Sequence, residues 1–343
     1  MRNVSLRQPE SVPESRLPAQ VQRLPRPQPL GRAVSLAFLR WEKRSLAETE
    51  RFWRDFGFAI THSSDARLVA RGTGTAPCIA IAERSGRTRF VGAAFAMSGD
   101  TDLEVYVRTF GARRLHAAEI PGGGTGVELL DPAGRPVWLL QGQAELDALP
   151  NRVPVTRLAN SPSAKPRVNA TVRTPIEPAH VVRLGHFVLQ AVDFTAMADW
   201  YIRVLGLIPT DVQYVADGSP ALAFCRLDLR DTPADHHTVV FVAGIEDRYE
   251  HSAYEVVDLD AVGQGQQVLR AAGWRHMWGM GRHLLGSQLF DYWFDPHGYE
   301  YEHYADGDVF TADFETCYSP LEFGGIWAWG ADAPASMKPG KNL

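Results

Sequence analysis

The two halves of the chain repeat one pattern of apolar runs, helix and tight turn. In each half an apolar run leads into an amphipathic helix that stops at a glycine, Gly57 in the first half and Gly206 in the second. Each half also ends with two strands joined at an Asp-Pro-x-Gly turn, which begins at Asp131 and at Asp295. This repeat predicts a duplicated unit of strands and helices whose sheet is open enough to carry a site.

Proline-rich segments divide the chain, whose 343 residues exceed one average domain. Residues 1–32 hold six prolines and few large apolar side chains, so we predict an arm that is mobile or orders only against a partner subunit. A second proline-rich stretch, residues 149–179, predicts a linker. We therefore predict an N-terminal domain over residues 33–148, a C-terminal domain over residues 180–330 and a loose tail over residues 331–343.

Charge and cysteine content argue against several classes of protein. With 35 Lys and Arg against 40 Asp and Glu, the net charge of −5 is unsuited to binding a nucleic-acid backbone. The three cysteines form no CxxC pair, which excludes a disulfide scaffold or a thiolate zinc site. No apolar run approaches the roughly 18 residues of a membrane span, and no signal peptide is evident. We expect a cytoplasmic protein that binds no membrane.

Residues able to do chemistry are concentrated in the second half. Nine of the eleven histidines lie at or after His180. When the halves are aligned on their glycines and turns, Ala37 stands opposite His186, and Trp138 stands opposite Glu302. A metal site, if there is one, is therefore expected in the C-terminal half alone.

His186, His251 and Glu302 lie on predicted strands of that half. Any one of them alone is more often a core or surface residue than a ligand. Together, two imidazoles and a carboxylate form a facial triad that leaves three metal positions open, which suits non-haem Fe(II) and O₂ chemistry. Mn(II) fits the same ligands, whereas zinc more often takes a tetrahedral site.

Further polar residues accompany this set. His236 and His237 precede an apolar strand, and His283 and Tyr292 lie close together farther along the chain. Histidine is the natural proton shuttle, and a tyrosine hydroxyl can donate to an oxyanion. The alternatives are a solvent-facing turn for the histidine pair and loop packing for His283. Asp211 is interpreted as a solvated charge.

In its ordered set of motifs, the second half resembles the type I extradiol ring-cleavage dioxygenases of the vicinal oxygen chelate superfamily. The similarity covers residues 180–310 strongly and residues 33–145 weakly, through the repeat. Single motifs are unspecific, but the complete set in the family's order is specific. The matching motifs are Leu-Gly-His186, Asp-His-His237-Thr, His251-x-Ala-Tyr-Glu, Gly-Arg-His283, Tyr292 and Asp-Pro-x-Gly-x-x-x-Glu302.

The resemblance implies an α+β fold of two tandem vicinal-oxygen-chelate domains. Each domain would consist of paired βαβββ modules that curl into an open barrel or cup, and the N-terminal copy would hold no metal. Fe(II) would be bound by His186, His251 and Glu302. A catechol would chelate it through both oxygens, O₂ would take the remaining position, and the ring would open beside its two hydroxyls.

The resemblance also implies roles for the other polar residues. His237 would act as acid and base beside the metal, and His283 and Tyr292 would hydrogen-bond the substrate oxygens. We prefer His237 to His236 because the family's catalytic residue is the second of the pair, and because neighbours on a strand cannot both face the cup. Trp278 and Phe290 are among six aromatic residues available to line it; the others are Phe187, Trp200, Phe241 and Trp293.

Two other functions are compatible with the same superfamily. A glyoxalase- or epimerase-like lyase or isomerase would usually need a fourth protein ligand and an acidic base, and has no need of His237, His283 and Tyr292. A metal-free binding protein, such as a drug-sequestering relative, would tolerate loss of the triad, which is intact here. For any of the three we expect a homo-oligomer, since closed homo-oligomers are common among soluble proteins.

Overall fold

The computed structural model describes residues 10–321, 326–334 and 337. These residues form twenty-one strands and four α-helices. The elements up to residue 141 are β1 Val12–Pro13, β2 Ala33–Lys43, α1 Leu46–Phe56, β3 Ala59–Ser63, β4 Arg67–Arg71, β5 Ala80–Arg84, β6 Arg89–Met97, α2 Glu104–Phe110, β7 Arg113–Leu115, β8 Thr125–Leu130 and β9 Pro136–Gln141. Those that follow are β10 Arg183–Ala191, α3 Phe194–Leu205, β11 Ile208–Tyr214, β12 Pro220–Arg226, β13 Ala234–Asp235, β14 Val239–Ala243, β15 Arg248–Glu255, α4 Leu259–Ala271, β16 His276–His283, β17 Leu289–Phe294, β18 Glu300–Ala305, β19 Val309–Phe310, β20 Cys317–Pro320 and β21 Trp327–Gly330.

Two large sheets carry the repeat. The first has the strand order β3-β4-β5-β2-β6-β9-β8-β7. The second contains the same order as β11-β12-β14-β10-β15-β18-β17-β16, extended by β20 and β1 at one edge and by β21 at the other. In each sheet two βαβββ modules meet through an antiparallel central pair, β2 with β6 and β10 with β15. The predicted fold class is confirmed, with open sheets rather than closed barrels.

The first helix of each half begins and ends on the residues that the sequence suggests. The side chain of Ser45 accepts a hydrogen bond from the Glu48 amide at the start of α1, and Asp193 accepts one from Ala196 at the start of α3. Gly57 ends α1 with φ of 104° and Gly206 ends α3 with φ of 67°, both in the left-handed region that glycine favours.

The strand register corrects the alignment of the halves by one residue. His186 pairs with Ala253 after a bulge at Gly185, and Phe38 pairs with Ala94 after a bulge at Ala37. Phe38, not Ala37, is therefore the counterpart of His186. The expected match was wrong because α1 has 11 residues and α3 has 12, which shifts an alignment anchored on the terminal glycines.

One continuous apolar core joins the two sheets. Phe52 and Phe56 of α1 pack on the second sheet, where the ring centroid of Phe56 lies 3.8 Å from that of His303. Each Asp-Pro-x-Gly turn also contacts the opposite half. The ammonium of Lys43 forms a fully buried ion pair with Asp295, and the Tyr201 hydroxyl donates to Asp131 at 3.2 Å.

The arm differs from its prediction over the part that the structure describes. β1 pairs with β20 at the edge of the second sheet. Val21 and Leu24 are buried, and the Leu24 amide donates to the Tyr318 hydroxyl at 3.1 Å. The arm packs on its own chain because these two apolar side chains and the unpaired sheet edge offset its ordering entropy. Residues 1–9 lie outside the described residues.

The segment expected to be a loose tail is anchored where it begins. The indole of Trp278 donates to the Ala331 carbonyl at 2.8 Å, and Ala333 is buried. Of residues 335–343, all but Met337 lie outside the described part. No helix in the described ranges is long and apolar enough to cross a membrane.

Candidate metal centre

The three predicted ligands converge on the inner face of the second sheet. One ligand atom from each of His186, His251 and Glu302 lies within 4.8 Å of the others. Oε2 of Glu302 is 3.3 Å from Nε2 of His186 and 3.4 Å from Nε2 of His251. No other such group of histidine, cysteine and acidic side chains occurs among the described residues.

Strand register explains this convergence. His186 pairs with Ala253 across β10 and β15, Ala253 pairs with Glu302 on β18, and Glu302 pairs with Tyr292 on β17. These residues form one row across the sheet, and His251 lies two residues before Ala253 on the same side. Gly185 makes the bulge that precedes His186, where a Cβ would lie only 2.1 Å from the Tyr304 hydroxyl.

The Glu302 carboxylate fits a cation better than it fits its protein neighbours. It is 0% exposed, yet neither oxygen has a hydrogen-bond partner of normal geometry. Burial alone would raise the pKa of this carboxyl, but the imidazoles of His186, His251 and His283 hold it well below its usual range. A buried, ionised carboxylate without hydrogen bonds is costly, and a divalent cation at this point would balance its charge.

The corresponding place in the first sheet is filled with apolar side chains. Phe38 replaces His186 in the register and Trp138 replaces Glu302, with ring centroids 6.0 Å apart. Cys78, Ile81 and Leu140 belong to the same apolar cluster. This half therefore offers no comparable metal-binding residues in that place.

His283 and Tyr292 lie beside the carboxylate. Nε2 of His283 is 3.0 Å from the Tyr292 hydroxyl and 3.5 Å from Oε1 of Glu302. Nδ1 of His283 lies 2.9 Å from the Ile326 carbonyl, which fixes the ring. Burial and the charge of Glu302 hold the pKa of Tyr292 well above its usual range. The hydroxyl therefore keeps its proton and can donate it in a hydrogen bond.

His237 approaches the triad from the other side. Its ring centroid lies 4.1 Å from that of His186. Burial, with His186 and His236 nearby, holds the pKa of His237 well below its usual range, so the imidazole is neutral. The solvent-facing turn considered for this pair is wrong, since both rings are buried.

Asp211 is the residue that the sequence interpretation missed. Far from being solvated, it is only 8% exposed, and its carboxylate lies 2.7 Å from Nε2 of His236. The sequence of β11 mixes polar and apolar residues, so no local pattern marks Asp211 as buried.

Apolar side chains flank the polar centre on both sides. On one side Trp278 and Phe290 surround His283. On the other, Phe224 contacts the His237 ring at 5.2 Å between centroids. The remaining four aromatic residues considered for the cup pack in the main core instead: Phe187, Trp200, Phe241 and Trp293.

Known proteins resemble this chain in sequence and in fold. Residues 183–302 match the Glyoxalase/Bleomycin resistance protein/Dioxygenase superfamily. Metapyrocatechase 2 of Cupriavidus necator is 30% identical over 216 residues, which cover 62% of this chain. The match spans only 63% of that relative's length.

Two solved structures share the fold of this chain. Homoprotocatechuate 2,3-dioxygenase of Brevibacterium fuscum, in complex with 3,4-dihydroxyphenylacetate, gives a TM-score of 0.73 at 18% identity and covers 92% of this chain and 94% of its own. The Mn(II)-bound glyoxalase of Novosphingobium aromaticivorans gives 0.72 at 19% identity, covering 90% and 97%. At such identities the likeness concerns the fold alone.

Proposed function

We propose that the protein is a non-haem Fe(II)-dependent extradiol dioxygenase, which cleaves a catechol ring beside its two hydroxyls with O₂. The observation that carries this proposal is the buried Glu302 carboxylate, which lacks hydrogen bonds and faces His186 and His251. Metapyrocatechase 2, a relative by sequence, and the dioxygenase fold neighbour support the same reaction class.

His186, His251 and Glu302 would hold the metal, which we propose to be Fe(II), although Mn(II) suits the same ligands. When bound, the metal supplies positions for both catechol oxygens and for O₂ and couples electron transfer between them. The protein must then orient the ring and handle protons.

The neighbouring side chains suit those two tasks. His237, beside His186, would accept a proton from a catechol hydroxyl and return it as the product forms. Tyr292 and His283 would hydrogen-bond the substrate oxygen on their side. The apolar groups Trp278, Phe290 and Phe224 would contact the faces and edge of an aromatic ring.

A glyoxalase-like lyase or isomerase is the second candidate, because the Mn(II)-bound glyoxalase has a similar fold. The described cluster around Glu302 contains only two histidines and one carboxylate as a ligand group. His237, His283 and Tyr292 surround that group, a set for which lyase chemistry has no evident use. The ring-cleavage reaction uses all of them.

The decisive experiment starts from anaerobically purified protein reconstituted with Fe(II) or Mn(II). Catechol, alkylcatechols and 3,4-dihydroxyphenylacetate are added in air while visible absorbance and O₂ uptake are recorded. A yellow ring-opened product with one O₂ consumed per catechol supports the proposal. Metal binding without O₂ uptake on any catechol would favour the lyase or isomerase, and failure to bind metal would favour a binding protein.

The setting of the reaction is also a proposal. We propose a homo-oligomer in the cytoplasm, with a small-molecule catechol and O₂ as its partners. Light scattering of the purified protein gives the oligomeric state, and fractionation of the source cells gives the location.

A further inference from the structure

A continuous chain of hydrogen bonds leads from β11 to the metal centre. Oδ2 of Asp211 lies 2.7 Å from Nε2 of His236, and Nδ1 of His236 lies 2.8 Å from Nδ1 of His237. All three residues are buried, with His236 only 1% exposed. The proposed dioxygenase mechanism uses His237 but gives no task to Asp211 or His236.

The chemistry of the chain determines which nitrogens carry hydrogen. A carboxylate oxygen only accepts, so Nε2 of His236 must donate to Asp211. When the His236 ring is neutral, its other nitrogen has a lone pair, and Nδ1 of His236 then accepts from Nδ1 of His237. Nε2 of His237 is left without hydrogen and is the basic atom of that ring.

We propose that Asp211 and His236 are positioning residues that hold His237 in its Nδ1–H tautomer, with Nε2 free to accept a proton from the substrate. An orienting carboxylate fixes a catalytic imidazole in this way in hydrolytic triads. Here the carboxylate acts through a second imidazole. The part played by His237 in turnover rests on the proposed dioxygenase function, whereas its tautomer does not.

The surroundings of His236 support a fixed orientation. Its amide donates to the Asp308 carbonyl at 2.9 Å, and its ring lies between Phe224 and Phe310, with centroids at 5.4 and 5.9 Å. Gly286 approaches so closely that a Cβ there would lie 3.0 Å from Nδ1 of His236. A ring held on all these sides has little freedom to turn over and reverse the chain.

The tautomer is tested directly by ¹⁵N NMR of histidine-labelled, metal-free protein. We expect the His237 ring to show a protonated Nδ1 and an unprotonated Nε2, with its signals identified by their loss in His237→Phe. We also expect His236→Phe to abolish this preference. An Nε2–H tautomer of His237 in the wild type would overturn the proposal, whatever reaction the protein catalyses.

The consequence for turnover is tested on the Fe(II)-loaded enzyme with catechol. His236→Phe should lower kcat by about 10- to 100-fold, with iron content and the KM for catechol unchanged. His236→Gln should restore most of the rate, because its amide oxygen can accept from His237 while its N–H donates to Asp211. The matched control is His276→Phe, which removes a histidine 2.8 Å from Asp291 that does not contact His237 and should leave kcat unchanged.

A second variant tests the same hydrogen-bond chain in case His236→Phe does not fold. Asp211→Leu removes the acceptor but leaves both rings, and should lower kcat to a similar extent. The double variant Asp211→Leu/His236→Phe should be no slower than either single variant, since both break one chain. Wild-type kcat in both single variants, or purely additive losses, would overturn the positioning role. Absence of any ring cleavage in the wild type would refute the proposed function instead.

Discussion

At the scale of single residues, the proposed metal ligands are tested by removing the one carboxylate among them. Glu302→Ala should abolish iron retention and leave a folded protein, because the carboxylate accepts no hydrogen bond that stabilises the chain. The measurement is iron content after anaerobic reconstitution and gel filtration, with circular dichroism as the check on folding. The control is Glu246→Ala, an acid whose side chain is 57% exposed. Wild-type iron content in Glu302→Ala would refute the assignment.

A second prediction about single residues distinguishes the role of His237 from that of its neighbour His236. His237→Phe should keep iron and lower kcat by about 100- to 10,000-fold, the usual worth of a general acid or base. His236→Phe should cost less, because it leaves the reacting imidazole in place. Steady-state kinetics with catechol show which of the two substitutions lowers kcat more. If His236→Phe were the inactive variant and His237→Phe the active one, the choice between the neighbours would be wrong.

Single residues also show where sequence reasoning succeeds and where it stops. His186, His251 and Glu302 could be predicted because their motifs occur in a characteristic order, and the structure brings the three together. The roles of these residues stay predictions until they are measured. Phe38 could not be assigned, since the bulge at Ala37 and the shorter α1 change which side chains face inward. Asp211 could not be assigned, since its partner His236 lies on another segment of the chain.

At the scale of elements, the sequence repeat predicts the strands and helices of the modules but not the packing of the N-terminal arm. Alternation of apolar runs and glycine turns predicts strands and helices locally. The arm has few large apolar residues, and its order depends on a distant sheet edge, where β1 pairs with β20. Contacts between segments so far apart leave no local pattern in the sequence.

One substitution tests whether the N-terminal arm packs on the rest of the chain in solution. Leu24 is 2% exposed, so Leu24→Ala should lower the free energy of unfolding by about 2–5 kcal/mol, as buried leucine truncations do. Val153→Ala is the control, since Val153 is 70% exposed in the predicted linker and should change little. Urea denaturation followed by circular dichroism measures both. A Leu24→Ala protein as stable as the wild type would mean that the arm is detached in solution.

At the scale of the whole molecule, the two halves are joined by their interior rather than by the linker alone. Phe56 of the first half stacks on His303 of the second, and Lys43 pairs with Asp295 at full burial. Removing one partner of a buried ion pair leaves an uncompensated charge, so Lys43→Met should cost about 3–5 kcal/mol. Urea denaturation measures this cost, and Arg54→Met, which removes a largely exposed ion pair on α1, should cost less than about 1 kcal/mol. Equal stability in Lys43→Met and the wild type would refute this interior link.

Such coupling predicts that a metal bound at the proposed site in the second half would also stabilise the first half. A ligand present at 100 times its Kd adds about 2.7 kcal/mol to the stability of every segment that unfolds with its site. Fe(II) added anaerobically should therefore slow hydrogen exchange in β2 and β6, far along the chain from the ligands, as measured by mass spectrometry. Glu302→Ala, which should not retain the metal, should show no such change. Protection confined to β10, β15 and β18 would mean that the halves unfold independently, despite their shared core.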